Sequence, residues 1–285
     1  MMFFGQGGVE CEKIEDDVVF EAGVELFIAR FDEVHPVVSG NKMYKLHYFL
    51  QQAIEENKPI VTFGGPYSNH LAATAQACKI LKITCTGIVN GEHHSITHTL
   101  KQCEEEGMEL KYVSPGTYRR LKSGIEHELY PGALVIPEGG YHPLGAKGAS
   151  LMSDEISSLT VTHTCVSVGT ATTLAGFLAK EGTEIIAIPA IKNMTDIPER
   201  LKYLEINYQP ARLKIWDEYH FGGFAKLTPE LEEFMKNFKL KYEIELDRVY
   251  TAKMIFGVLD KISKKYFPRG SRIVCVHSGG LQGNK

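Results

Sequence analysis

The stretch Ser39-Gly40-Asn41-Lys42-Met43-Tyr44-Lys45-Leu46 begins a predicted helix and decides how the first part of the chain folds. Apolar residues recur after it at three- and four-residue spacing, which is typical of one buried helix face. They are Leu46, Phe49, Leu50, Ala53 and Ile54. Pro59 cannot continue a helix, so the apolar run 60–63 behind it is predicted to be a strand.

The same alternation of short apolar runs and helix-length segments continues along the whole chain. A second helix is predicted to follow Ser68 and Asn69, which are favoured N-cap residues. Strands separated by helices favour parallel sheets with right-handed crossovers. We therefore expect an α/β fold with mostly parallel twisted sheets, whose strands lie at 26–29, 60–63, 85–89, 110–113, 134–137, 165–168, 185–189, 213–216 and 273–276.

The composition is that of a soluble globular protein, with 285 residues, 44% hydrophobic and 23% charged. The net charge of -4 and the absence of a basic stripe argue against a nucleic-acid partner. No apolar run approaches the roughly 18 residues of a membrane helix, and residues 1–10 do not resemble a signal peptide. Six cysteines without a C-x-x-C pair fit a reducing cytosol, so we expect a cytoplasmic protein.

Glycines cluster where the predicted strands end, which is where open α/β sheets bind ligands. An ordinary strand-to-helix turn explains any single cluster, but five clusters favour a shared cleft. The five clusters are Gly64-Gly65, Gly139-Gly140, Gly169, Gly222-Gly223 and Gly279-Gly280.

A hydroxyl-rich loop, Gly169-Thr170-Ala171-Thr172-Thr173, follows one strand and opens a helix. Free N–H groups and the helix dipole make such a loop a physical phosphate site, although a plain Thr-capped helix explains it nearly as well. It matches neither the nucleotide P-loop nor the dinucleotide fingerprint, which disfavours a nucleotide-binding protein.

Lys42 and Lys45 are three residues apart, so they lie on the same side of the predicted helix. Solvated surface lysines are the ordinary interpretation, but the preceding Gly40-Asn41 and the apolar helix argue against it.

These motifs together resemble the 1-aminocyclopropane-1-carboxylate (ACC) deaminase and D-cysteine desulfhydrase family. Its members are fold-type II enzymes that depend on pyridoxal 5'-phosphate (PLP) and are relatives of the tryptophan synthase β subunit. The similarity extends over nearly the whole chain in family order. It includes the segments 39–46, 64–70, 136–140, 169–173, 246–253 and 276–280.

The resemblance implies a role for each matched residue. Lys42 would form the Schiff base with PLP, and Lys45 with the backbone of Gly169, Thr170, Ala171, Thr172 and Thr173 would hold the phosphate. Asn69 would bond the ring hydroxyl, while Thr251 and Ser278 would face the ring nitrogen. Ser68, Asn69 and His70 would receive the substrate carboxylate, and Tyr250 would lie over the substrate. The implied catalytic residues are Lys42, Ser68 and Tyr250.

Three positions bear on the reaction. Thr251 stands where the family's ACC deaminases place a carboxylate, which favours elimination of a good leaving group over opening of a cyclopropane ring. His70 is desulfhydrase-like, because the deaminases usually carry glutamine there. Phe224 replaces the usual tyrosine among the substrate-binding residues.

We therefore expect D-cysteine to be converted to pyruvate, ammonia and sulfide. ACC deaminase activity, giving 2-oxobutyrate, is the alternative, and a non-catalytic PLP-binding protein is an alternative of another class.

The resemblance also implies two domains with the cofactor between them. Residues 44–148 would form the smaller domain, and residues 1–43 with 149–285 the larger one. A homodimer acting on a small amino-acid substrate is expected. No metal site is expected, because His93, His94 and His98 lack further ligands at metal-binding spacing and are interpreted as surface residues.

Overall fold

The computed structural model describes residues 8–35, 38, 40–91, 96–123 and 130–284. Nine of the strands match the nine predicted apolar runs, and the α/β fold class is confirmed. The described residues form ten strands, β1 (Cys11–Lys13), β2 (Glu25–Ala29), β3 (Ile60–Gly64), β4 (Cys85–Asn90), β5 (Glu109–Val113), β6 (Leu134–Ile136), β7 (His163–Val168), β8 (Glu184–Pro189), β9 (Leu213–Ile215) and β10 (Arg272–Val276).

Helices fill most of the segments between these strands. The first two predicted helices begin where the sequence places them, at Asn41 and at Asn69. The helices of the described residues are α1 (Asp17–Ala22), α2 (Asn41–Glu55), α3 (Asn69–Leu81), α4 (His98–Glu105), α5 (Pro115–Lys122), α6 (Pro143–Glu155), α7 (Thr172–Leu178), α8 (Ile197–Tyr203), α9 (Pro229–Tyr242) and α10 (Thr251–Ser263).

The strands form two separate sheets. A six-stranded sheet has the order β1-β2-β10-β7-β8-β9, and a four-stranded sheet has the order β5-β4-β3-β6. All pairs are parallel except β1 with β2, which is an antiparallel pair at the edge of the larger sheet. In parallel strands the carboxyl ends share one edge, so each sheet gathers the loops after its strands on one side.

Helix α2 buries the apolar face that its spacing predicts, with one exception. Leu46, Phe49, Leu50 and Ala53 are buried, whereas Ile54 is 45% exposed because it lies at the margin of the stripe. Helix α3 begins as predicted, with the Ser68 hydroxyl accepting a hydrogen bond from the Leu71 N–H at 3.2 Å.

Two glycines let α2, α6 and α7 pack at backbone distance. A Cβ at Gly148 in α6 would lie 2.1 Å from the Tyr44 carbonyl oxygen of α2. A Cβ at Gly176 in α7 would lie 2.4 Å from the Ala149 carbonyl carbon of α6. This close packing fixes α2 against the loop that precedes α7. The proposed domain boundaries at 43/44 and 148/149 fall inside α2 and α6.

Apolar residues of both sheets belong to one continuous buried cluster, which includes Ile60 and Ile136 from the smaller sheet and Val166 and Val274 from the larger one. Five of the six cysteines are buried, namely Cys78, Cys85, Cys103, Cys165 and Cys275. Among the residues that the structure describes, no helix combines the length and the apolarity that a membrane crossing requires.

Gly148→Ala tests the close packing of α2 on α6. The added methyl would overlap the Tyr44 carbonyl, so we expect unfolding in urea to show a loss of about 2 kcal/mol or more. Gly116→Ala is the matched control in α5, where the nearest atom to the new methyl is 3.9 Å away. The control should be neutral or up to about 1 kcal/mol more stable. Equal stabilities of the two variants would contradict this packing.

Candidate active site

A cleft lies where the loops after several strands meet. Loops that follow β6, β7 and β10 contribute to it, together with the first turns of α2 and α3. Its lining consists of Asn41, Lys42, Lys45, Asn69, Gly139, Ser167, Gly169, Thr170, Ala171, Thr172, Thr173, Leu174, Tyr250, Ser278, Gly279 and Gly280.

The first turn of α2 is fixed against the loop after β10. Gly40 has φ 65°, and a Cβ there would lie 2.0 Å from the Ser278 carbonyl oxygen, so only glycine fits. The N–H of Asn41 donates to that same carbonyl at 3.1 Å. The Asn41 side chain donates to Thr173 Oγ1 at 2.9 Å and accepts from Lys42 Nζ at 2.7 Å. Asn41 therefore joins Lys42 to the hydroxyl-rich loop.

Lys42 carries an amine that is easily deprotonated. Burial lowers the pKa of Lys42 to about 8, and the nearby carboxylate of Asp247 only partly opposes this shift. A lysine must lose its proton before it attacks a carbonyl, and desolvation is a general way of achieving this. Lys42 is thus suited to act as a nucleophile or a base near neutral pH.

Lys45 lies one helical turn further along and is 4% exposed. Burial and the charge of Lys42 hold the pKa of Lys45 well below its ordinary value. Within the described part of the chain, no hydrogen bond or ion pair reaches its amine. Gly140 leaves space for the lysine stem, because a Cβ there would lie 3.2 Å from Lys45 Cβ. A buried amine without a partner calls for an anion from outside the chain.

The loop 169–173 presents backbone and hydroxyl groups to the cleft. Ala171 has φ 66°, a left-handed conformation that costs an alanine about 1–2 kcal/mol. Thr170 and Thr172 share a hydrogen bond between their hydroxyls at 2.9 Å. A Cβ at Gly169 would lie 3.1 Å from the hydroxyl of Tyr250, so glycine lets this tyrosine lie close against the loop.

Asp247 organises the segment that carries Tyr250. Its carboxylate is fully buried and accepts the N–H groups of Val249, Tyr250 and Thr251 at 3.3, 2.6 and 3.1 Å. Burial raises the pKa of Asp247, and these three hydrogen bonds oppose the shift. Burial and the charge of Asp247 also raise the pKa of Tyr250, so its phenol stays protonated at neutral pH.

Asn69 lines the cleft at the start of α3. Its Nδ2 donates to the Gly280 carbonyl oxygen at 3.4 Å, while its Oδ1 is buried without a partner. Ser68 does not line the cleft, because its hydroxyl caps the helix. The backbone N–H groups of Asn69 and His70 begin the helix and have no acceptor in the described structure.

His70 is buried behind the lining and is uncharged. Thr62 donates its hydroxyl proton to the Ile136 carbonyl at 2.9 Å, so Thr62 Oγ1 accepts from Nε2 of His70 at 2.9 Å. Nδ1 is then an acceptor, buried without a partner. Burial and the charges of Lys42 and Lys45 lower the pKa of His70 to about 3.

The structure brings most of the predicted site residues into one cleft, but not all. Thr251 is fully buried behind the lining, and its hydroxyl has no partner. Phe224 is 56% exposed and packs edge-on against Tyr250 with ring centroids 6.1 Å apart, outside the lining. The predicted residues that line the cleft are Lys42, Lys45, Asn69, Gly169, Thr170, Ala171, Thr172, Thr173, Tyr250 and Ser278.

Several residues of the site had no predicted role. Asn41 and Ser167 line the cleft, and Asp247 supports it from behind. Asn41 and Asp247 lie within motifs that match the family, so the sequence could have pointed to both of them. Of the five glycine clusters, those at 139–140, 169 and 279–280 contribute lining residues. His98 is exposed, as expected, and His93 and His94 lie outside the described residues.

Two parallel sheets with a lysine-lined cleft at their carboxyl ends define the class to which the protein belongs. The family model for "Pyridoxal-phosphate dependent enzyme" matches residues 18–279. The chain belongs to this family; it is an enzyme, and its cofactor is PLP. This finding removes the alternative of a non-catalytic protein and confirms the predicted cofactor.

Relatives named for each of the two predicted activities are similar to the chain. A Pyrococcus furiosus protein named "Putative 1-aminocyclopropane-1-carboxylate deaminase" is 27% identical, with 92% of this chain and 86% of the relative covered. The D-cysteine desulfhydrase of Klebsiella pneumoniae is 28% identical, with 90% and 87% covered. The crystal structure of an ACC deaminase homologue superposes with a TM-score of 0.82 at 24% identity, covering 98% and 91%. The predicted family resemblance is confirmed.

The cleft has the chemistry that PLP requires. A phosphate carries nearly two negative charges, and Lys45 offers a buried amine whose charged form an anion would favour. The orphaned Oδ1 of Asn69 can accept a hydrogen bond from a ring hydroxyl. Lys42 supplies an amine that is partly neutral near pH 8. The residues therefore fit the cofactor that the family implies.

Lys45→Met is expected to move protein stability and cofactor affinity in opposite directions. Removing an uncompensated buried amine should stabilise the PLP-free protein by about 1–3 kcal/mol. Losing a charge-assisted bond to phosphate should weaken PLP binding about 10- to 100-fold. Thermal unfolding of the PLP-free protein and absorbance titration with PLP measure the two effects.

Lys101→Met is the control for this variant, because the Lys101 side chain is 70% exposed. It should change stability by less than about 0.5 kcal/mol and leave PLP affinity unaltered. If Lys45→Met destabilised the PLP-free protein and left PLP affinity unchanged, Lys45 would not be the phosphate ligand.

Proposed function

We propose that the enzyme catalyses α,β-elimination from a small D-amino acid such as D-cysteine, giving pyruvate, ammonia and sulfide with the uptake of one water. The main support for this proposal is that the described lining of the cleft contains two lysines and no carboxylate. The nearest buried acid, Asp247, is already committed to three backbone N–H groups.

The lack of a free carboxylate bears on the type of reaction. PLP, when bound, withdraws electrons from the substrate, and most strongly when an acid keeps its ring nitrogen protonated. Ser278, the lining residue proposed to face that nitrogen, carries a hydroxyl, which adds no charge. Thr251, the other residue expected there, lies behind the lining. Weaker electron withdrawal suffices when the substrate carries a good leaving group at Cβ, as a thiol does. It suits less well a ring that must be opened without such a group.

Lys42 and Lys45 have different proposed tasks. Lys42 would hold the cofactor covalently through its amine and would take the proton from the substrate Cα. Its pKa of about 8 makes a neutral amine available near physiological pH. Lys45 and the backbone of loop 169–173 hold the phosphate, and Asn41 keeps Lys42 tied to that loop through Thr173.

The substrate side of the cleft is assigned to α3 and Tyr250. The free N–H groups of Asn69 and His70 at the start of α3 are suited to a substrate carboxylate. Ser68 shapes this turn through its cap, and neutral His70 adds no competing charge. Tyr250, held protonated by its raised pKa, would donate a proton or hydrogen bond to the departing thiolate.

Further proposals concern the assembly and location of the enzyme. The family resemblance supports a homodimer and a division into domains at residues 44–148. Six free thiols, five of them buried, support a reducing compartment such as the cytoplasm. ACC deaminase remains the second candidate function, and it is favoured by the named relative from Pyrococcus furiosus.

A comparison of two substrates tests the proposal. The PLP-loaded enzyme is supplied with D-cysteine or with ACC, and the released pyruvate or 2-oxobutyrate is measured. We expect kcat/KM for D-cysteine to exceed that for ACC by more than about tenfold, a difference of roughly 1.4 kcal/mol in transition-state stabilisation.

L-Cysteine serves as the stereochemical control, and Lys42→Ala as the catalytic control, which should abolish keto-acid release from every substrate. A preference for ACC would replace the proposal with its alternative. Release from L-cysteine alone would retain the elimination but reverse the proposed chirality.

A further inference from the structure

A further buried lysine lies outside the lining of the cleft. Lys253 is in the first turn of α10, three residues after Tyr250, and is fully buried. Its amine donates hydrogen bonds to the backbone carbonyls of Gly223 at 2.7 Å, His220 at 2.9 Å and Ala190 at 3.5 Å. An ammonium has three protons, so these three acceptors satisfy it completely.

The three carbonyls belong to two segments of the chain. Ala190 follows β8, and its N–H donates at 2.9 Å to the carbonyl of Val168, the residue before Gly169. His220 and Gly223 belong to the segment 220–225, which contains Phe224. Lys253 thereby ties the helix of Tyr250 both to the strand that precedes the hydroxyl-rich loop and to the segment 220–225.

The segment 220–225 has a conformation that requires a tether. Four of its residues have positive φ, namely Phe221 at 51°, Gly222 at 88°, Gly223 at 116° and Ala225 at 54°. Left-handed conformations at non-glycine residues persist only when surrounding contacts impose them. The amine of Lys253 anchors two carbonyls of this segment from within the protein, beside the packing of Phe221 on Phe256 of α10 with ring centroids 4.9 Å apart.

The segment places Phe224 against Tyr250. The two rings meet edge-on at 6.1 Å, and Tyr250 lines the cleft beside Gly169. Phe224 remains 56% exposed, so contact with the tyrosine ring does not bury enough of its surface to hold the segment in place. The position of Phe224 therefore depends on the backbone that carries it.

We propose that Lys253 is a positioning residue that fixes the segment 220–225, and Phe224 with it, against Tyr250, and so sets which substrates the cleft accepts. The part concerning substrates rests on the proposed function. Lys253 itself touches neither cofactor nor substrate, because it lies outside the lining.

Hydrogen exchange of the substrate-free enzyme tests the tether without any measurement of activity. Lys253→Met keeps an unbranched side chain in the core but removes all three donors. We expect amide exchange in residues 220–226 to accelerate by about tenfold or more, while α2 and α3 keep the wild-type rates. Lys264→Met, at the exposed end of the same helix, is the control and should leave both regions unchanged. Unchanged exchange at 220–226 in Lys253→Met would overturn the proposal.

A selectivity measurement tests the consequence for the cleft. The ratio of kcat/KM for D-cysteine to that for S-methyl-D-cysteine is determined in the wild type, Lys253→Met, Phe224→Ala and the double variant. One methyl group typically changes selectivity by about 10-fold or more in a well-shaped pocket. We expect both single variants to lower the ratio by at least about fivefold, and the double variant to lower it no further.

Additive effects of the two substitutions, or an unchanged ratio in Lys253→Met, would show that Lys253 does not act through Phe224. If Lys253→Met does not fold, Gly223→Ala replaces it, because an alanine at φ 116° strains the same segment. That variant must reproduce the change in ratio. If the wild-type enzyme did not convert D-cysteine at all, the proposed function would be refuted, but the hydrogen-exchange test of the tether would still stand.

Discussion

The burial of two lysine amines in one cleft, without a carboxylate in the described lining to neutralise them, is the constraint on which the site depends. Lys45 is buried beside Lys42, and both have lowered pKa values for the same physical reason. Such an arrangement is unfavourable until an anion enters. We propose that the phosphate of PLP is that anion and that it supplies the negative charge missing from the described lining of the cleft.

The surrounding structure serves to hold these amines in place. Gly40 and Gly148 allow α2 to approach its neighbours at backbone distance, and Gly140 leaves space for the Lys45 stem, so that Lys42 and Lys45 line the same cleft as the loop 169–173. On the opposite side, Asp247 holds Tyr250 through backbone hydrogen bonds. Asp247, whose charge acts on Lys42, is thereby kept outside the lining of the cleft. The protein supplies orientation and electrostatics, and the cofactor supplies the electronic chemistry.

Much of this organisation could be predicted from the sequence. The nine parallel strands were found because short runs rich in apolar residues mark them, whereas β1 escaped because its three residues at the sheet edge have no such run. Motifs gave Lys42, Lys45 and the loop 169–173. Side-chain exposure could not be predicted: the positions of Thr251 and Phe224 outside the lining depend on how α10 and the segment 220–225 pack. In the sequence, nothing distinguishes Lys253 from other lysines in predicted helices. Only the fold brings three carbonyls to its amine.

The most direct test is to locate the covalent attachment of the cofactor. The PLP-saturated enzyme is reduced with borohydride at pH 8, digested, and its phosphopyridoxyl peptides are identified by mass spectrometry. A single stoichiometric label on Lys42, which is lost in Lys42→Ala and weakened in Lys45→Met, is the result that we predict. A principal label on Lys45, Lys253 or any other lysine, or no label at all, would contradict the site described here.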